Sequence, residues 1–102
     1  MEIEWSPLAI ERVIEMAEYI ALDKPDIAMQ WASNIFDSTD KLKEHPRLGR
    51  IVPEIQEDEY RELIEGNYRV IYLIGAHKIS VLTVRHGKQL LSSDDLNSTT
   101  MD

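Results

Sequence analysis

The apolar residues of this chain change their period once, and that change limits what the chain can fold into. Ile10, Val13, Ile14, Ala17, Ile20 and Ala21 recur at helical spacing, and so do Ala28, Trp31, Ala32, Ile35, Phe36, Thr39 and Leu42. From Tyr60 to His86 the spacing falls to two, the period at which side chains alternate between the faces of a sheet. A chain of 102 residues has room for one core. Helices and strands must therefore share it, and the expected class is α+β.

Local signals place the boundaries. Ile3 and Trp5 alternate with Glu2 and Glu4, a short strand. Ser6-Pro7 supplies an N-cap hydroxyl and a proline where a helix has an N–H to spare. Asp23-Lys24-Pro25 separates the two helical stripes, and so short a break predicts an antiparallel helical hairpin. Lys41 and Lys43 suit the C-terminus of the second helix. Residues 45–59 hold two prolines, a glycine and no sustained period, a long loop. Gly66-Asn67 and Gly75–Lys78 are the turns of a three-stranded meander. The expected architecture is a twisted antiparallel β-sheet packed against an N-terminal helical hairpin. Residues 1–91 form the domain, and 92–102 are expected to be a disordered acidic tail with Asp94-Asp95 solvated.

A turn at Gly66-Asn67 pairs Glu65 with Tyr68 and Ile64 with Arg69. Tyr60, Glu62 and Ile64 then share a face with Arg69, Ile71 and Leu73. An uninterrupted second hairpin adds Ser80, Leu82, Val84 and His86 to that face, which brings Arg69 and His86 together. Both faces of the meander are rich in apolar residues, and one helical hairpin covers one of them. The other is covered by the long loop or kept for a partner.

Charge and composition exclude several functions. The net charge is −8, so the whole chain is repelled by nucleic acid. The distribution is uneven: residues 1–45 carry −6, residues 46–91 carry +1 and residues 92–102 carry −3. The absence of cysteine removes disulfides, thiolate metal sites and a cysteine nucleophile, and fits a reducing cytoplasm. No apolar run reaches the ~18–20 residues of a membrane span. His45, His77 and His86 have no neighbours at metal-ligand spacing, so no metal is expected. No glycine-rich phosphate loop appears, and no cofactor is expected.

One pair of residues invites chemistry. A histidine is an acid or base near neutral pH and an arginine holds phosphate, so Arg69 with His86 suits RNA cleavage by an internal 2′-hydroxyl, with Glu62, Glu54 or Glu57 assisting. The competing reading is a strand-end histidine beside an arginine that pairs with an acid of the loop.

The order of elements and four motifs resemble the RelE/ParE superfamily of type II toxin–antitoxin toxins. These are Ser6-Pro7-Leu8-Ala9, His45-Pro46-Arg47-Leu48-Gly49-Arg50, Asn67-Tyr68-Arg69-Val70-Ile71-Tyr72 and Val84-Arg85-His86-Gly87-Lys88. The resemblance implies a plasmid-stabilization type of toxin neutralised by a small antitoxin. Its RelE-like branch cleaves mRNA on the ribosome; its ParE-like branch poisons DNA gyrase by protein contact. Arg69 matches an arginine of the nucleases and His86 a histidine of a YoeB-like subgroup. Against that, Glu62 stands where nucleases place bases, Gln89 where they often carry arginine, and Gly87 where that subgroup has tyrosine. The resemblance therefore favours the ParE-like branch, with Arg61, Arg69, Arg85, His86 and Lys88 as the target or antitoxin patch and no assigned catalytic residue. The remaining alternatives are the mRNA endonuclease and a non-toxic interaction module that keeps only antitoxin or self binding.

Overall fold

Ser6 starts the first helix as its sequence predicts. Its Oγ accepts the Ala9 N–H at 3.0 Å, and α1 runs Pro7–Ala21. α2, Pro25–Asp40, again begins on proline and tightens into a 3₁₀ turn at Lys41–Lys43. The computed structural model describes residues 1–97. The strands are β1 Glu2–Trp5, β2 Arg50–Ile51, β3 Tyr60–Glu65, β4 Tyr68–Ile74 and β5 Lys78–His86. They form one five-stranded sheet in the order β1-β5-β4-β3-β2.

The α+β expectation holds, with two refinements. β1 joins β5 in parallel, with Ile3 opposite Ile79, so the sheet is mixed. The long loop also contributes β2, antiparallel to β3. The β3–β4 register is the expected one, with Glu65 opposite Tyr68 and Ile64 opposite Arg69. Gly66 has φ +60°, the first-position geometry of a tight hairpin turn.

The second hairpin differs from expectation. Tyr72 lies opposite Val81, but Ile71 lies opposite Thr83, so Leu82 is an extra residue in β5. Such a bulge reverses the face of everything beyond it. The Ser6 hydroxyl donates to the Leu82 carbonyl at 2.7 Å, and the Val81 carbonyl accepts the Ser6 N–H at 2.9 Å. The residue that caps α1 thus also holds the bulged backbone.

The helical hairpin covers one face of the sheet, where Ala9, Val13 and Ile35 pack with Val70, Val81 and Val84. Leu42, Tyr72 and Ile79 continue that core. On the opposite face Val52, Ile71 and Leu82 pack together, joined by Ile55 of the loop and by Leu91 and Leu96. The chain therefore covers part of its second face itself.

The expectation of a disordered tail fails for the residues described. Ser93–Asn97 form a short helix, α3, and Asp95 is buried, not solvated. Asp95 accepts from Thr83 Oγ1 at 2.9 Å, from the Ser92 N–H at 2.8 Å and from Arg85 Nε at 3.1 Å. It also pairs with Arg12 of α1 at 2.7 Å. A buried carboxylate with this many partners fixes the segment that carries it. The rest of the predicted tail, 98–102, lies outside the described residues.

Candidate functional site

The bulge decides the chemistry proposed for Arg69 and His86. Arg69 lies opposite Arg85, whereas His86 lies opposite Tyr68. Because cross-strand partners share a face, His86 belongs with Tyr68 and Val70 on the helix side, and Arg69 looks out through the other. The expectation that they share a face is thus corrected by the single extra residue Leu82.

Arg69 is 5% exposed. Its Nε and Nη2 donate to Glu62 Oε1 at 2.8 and 2.6 Å. Nη2 also reaches Glu54 Oε1 at 2.6 Å, and Nη1 reaches Glu54 Oε2 at 2.8 Å and the Gln89 carbonyl at 3.2 Å. A guanidinium has five N–H donors, and all of them are spent. Glu62, fully enclosed, also accepts from Arg50 Nε at 2.6 Å. The hydrogen bonds from Arg69 outweigh burial and hold the Glu54 carboxyl down to about 2. Those from Glu54 likewise raise the Arg69 guanidinium above its ordinary value. Two guanidiniums against two carboxylates leave no net charge to attract a phosphate. Of the three acids considered as helpers, Glu54 and Glu62 surround Arg69, while Glu57 is not among its hydrogen-bond partners.

The other bases of the predicted patch are scattered. Arg61 donates to the Gly49 carbonyl at 3.0 Å and to Asp58 at 2.6 Å, at the far end of the sheet. With Arg47, it keeps the exposed Asp58 carboxyl below its usual range. Arg85 is bound to Asp95, whose carboxyl sits at about 2 because its hydrogen bonds from Arg85, Ser92 and Thr83, with Arg12 beside it, overcome the opposing effect of burial. His86 and the exposed Lys88 adjoin at the end of β5, where His86 Nδ1 accepts the Lys88 N–H at 3.3 Å. Arg47, Arg50 and Arg61 ring the turn at Gly49, where a Cβ would lie 2.5 Å from the Glu62 carbonyl oxygen. Tyr72 anchors that turn by donating to the Pro46 carbonyl at 2.7 Å and accepting the Gly49 N–H at 2.9 Å. Burial raises its phenol pKa.

Beside His86 opens an apolar groove of about 870 Å³, whose walls include Met16, Tyr19, Ile20, Leu22, Tyr68 and His86. Tyr68 is edge-on to Trp31 with ring centres 4.9 Å apart and to His86 at 5.6 Å. Tyr19 and Leu22 are 68% and 88% exposed. Large apolar side chains gathered around a concave surface suit protein contact. Sequence reasoning missed this groove. Its signal was present, since Tyr19 and Leu22 fall outside the buried stripe of α1. Among the described residues no cluster of His, Asp and Glu could hold a metal ion.

Residues 3–91 match the family model for the ParE toxin of the type II toxin–antitoxin system parDE. The chain belongs to the ParE toxin family. A relative in Sinorhizobium fredii, provisionally named a toxin, Y4kP, is 32% identical over 87 residues, covering 85% of this chain and 88% of the relative. The fold is also that of a chain in the chromosomal ParDE system of P. aeruginosa. The TM-score is 0.72 at 15% identity, over 84% of this chain and 95% of that one. The ParE match ends at Leu91, so α3 and its buried Asp95 lie beyond the part shared with the family model.

Proposed function

We propose that this ParE-family toxin arrests growth by binding DNA gyrase and is neutralised by a cognate antitoxin in the cytoplasm. The observation that carries the choice of target is the enclosed Arg69: its donors are taken by Glu54, Glu62 and Gln89, and His86 lies across the sheet. An RNA-cleaving site needs both groups at one phosphate. The net charge of −8 further favours a protein target over the polyanionic ribosome. The likeness to a chain of a ParDE system supports an antitoxin partner. Of the residues assigned to the patch, we take His86, which lines the groove beside Tyr68, and the exposed Lys88 two residues on as the contact residues. Arg61, Arg69 and Arg85 are engaged by acids of the chain itself.

Expression of the chain alone in growing bacteria tests the reading. Growth arrest with a DNA-damage response and intact messages is expected. Cleaved messages with quiet DNA would make it an mRNA endonuclease, and unimpaired growth would leave a non-toxic interaction module.

A further inference from the structure

Asp95 sits in a site that other parts of the chain build. Its carboxylate lies 2.7 Å from Arg12 Nη1 of α1 and accepts from Thr83 Oγ1 of β5 at 2.9 Å. The Arg85 guanidinium lies along it, with Nε 3.1 Å from both oxygens and Nη2 3.0 Å from Oδ2. Ser92 adds its N–H at 2.8 Å and its hydroxyl at 3.1 Å. Among these partners only Ser92 belongs to the segment that carries the carboxylate. Arg12, Thr83 and Arg85 all fall within the residues that match the family model, whereas the fully enclosed Asp95 lies beyond its end.

Two guanidiniums that converge on one point repel each other unless an anion stands between them. Among the described residues neither Arg12 nor Arg85 pairs with another acid. Arg69 differs, since its partners Glu54 and Glu62 belong to the matched residues themselves. A guanidinium fork with a hydroxyl donor beside it suits a planar group that only accepts hydrogen bonds. We propose that Arg12, Thr83 and Arg85 form a carboxylate-binding site of the domain, separate from the groove at His86, and that Asp95 is its tethered ligand. Leu91 and Leu96, on either side of Asp95 in the chain, pack against the cluster of Val52, Ile71 and Leu82, so the carboxylate is presented to the site at high effective concentration. The site is therefore kept filled in the intact chain and closed to free anions. Emptied of Asp95, it takes a small monocarboxylate. The inference holds whichever cellular target the toxin has.

Asp95→Ala in the full chain removes the carboxylate and keeps its receptor, and formate serves as the probe that replaces it. Formate is expected to raise the melting temperature of Asp95→Ala along a binding curve and to restore slow hydrogen exchange at Leu91 and Leu96. Sodium chloride at the same ionic strength and the neutral formamide should do neither. The parent, whose site is filled, should respond to formate only as it does to chloride. Adding Arg85→Gln to Asp95→Ala should weaken the response to formate by about tenfold or more in concentration. Should Asp95→Ala unfold the chain, recovery of helical circular dichroism with formate reads the same site. A formate effect no larger than that of chloride or formamide, an equal effect on the parent, or an effect that survives the loss of Arg85 would overturn the inference. So would a gain from inorganic phosphate that exceeds the gain from formate once the parent's own response is subtracted, because the site would then be one for phosphate.

Discussion

The two faces of the sheet are closed by different physics. On the helix side valines, isoleucines and an alanine interlock, and the burial of apolar area holds α1 and α2 in place. On the opposite side a smaller apolar cluster, Val52, Ile71 and Leu82, is accompanied by two ion clusters, Arg69 with Glu54 and Glu62, and Asp95 with Arg12 and Arg85. An apolar interface is indifferent to pH and loses stability gradually as methyl groups are removed. A buried ion cluster collapses when one partner is lost, because the survivor is left charged and unsolvated. The helix side is thus a rigid platform, while the other side is a conditional closure of loop and C-terminal segment.

The largest effect expected from this contrast is that of Glu62→Ala, which takes from the buried Arg69 two of its hydrogen bonds and leaves Glu54 as its remaining charge partner. The loss should be ~3–5 kcal/mol, read by urea denaturation. Replacing Arg69 and Glu62 together by Met and Leu should cost clearly less than the sum of the single changes. Additivity would mean that the cluster contributes nothing as a unit.

Ile71→Ala and Val81→Ala probe one apolar residue on each face. A loss of ~2–5 kcal/mol is expected for the isoleucine and less for the smaller valine. Hydrogen exchange should place the response to Ile71→Ala in the loop and C-terminal segment, and the response to Val81→Ala in the helices. Swapped locations would dissolve the distinction between the faces.

Asp95→Asn should cost on the order of 2 kcal/mol and expose the segment after Leu91 to proteolysis without melting the helices. Acid should do the same reversibly. Glu54 and Asp95 ionise at about 2 instead of at their ordinary 4.5 and 3.8. Their contribution is therefore complete above the unfolded values and is lost as pH falls from there towards 2. Protection of Leu91 and Leu96 should fall in that window before protection of Val13 and Ile35 does. Simultaneous loss on both faces would contradict the account. The smallest effect is that of Ser6→Ala, ~1 kcal/mol, accompanied by faster exchange at the β5 bulge.

Much of this contrast was legible in the residues. The glycine turn fixed the β3–β4 register, so Glu62 and Arg69 could be placed on one face, and the pairing of that arginine with a loop acid was already one of its readings. The bulge was not legible, since Val81-Leu82-Thr83-Val84 is a run of strand-forming residues with no glycine or proline to mark an irregularity. The Ser6 hydroxyl, which holds the bulged Leu82 carbonyl, lies 76 residues away. Asp95 was hidden for a related reason: its partner Arg12 is distant in the chain, and composition alone reads the segment as tail. A local sign existed, for Ser92 and Asp95 have the spacing of a capping box, and the carboxylate does accept the Ser92 N–H. Of the apolar groove by Tyr68 only a sign was legible, Tyr19 and Leu22 off the buried stripe of α1; its shape depends on where the turn of the helical hairpin meets the end of β5.

The central claim is that this ParE-family chain acts by protein contact and not by RNA chemistry. The most direct measurement is supercoiling of relaxed plasmid by purified DNA gyrase as the chain is added, in parallel with message cleavage on translating ribosomes. The account predicts progressive loss of supercoiling, relieved by His86→Ala with Lys88→Ala, and no cleavage of message. Unimpaired gyrase together with cleavage that disappears in Arg69→Lys or His86→Gln would contradict it.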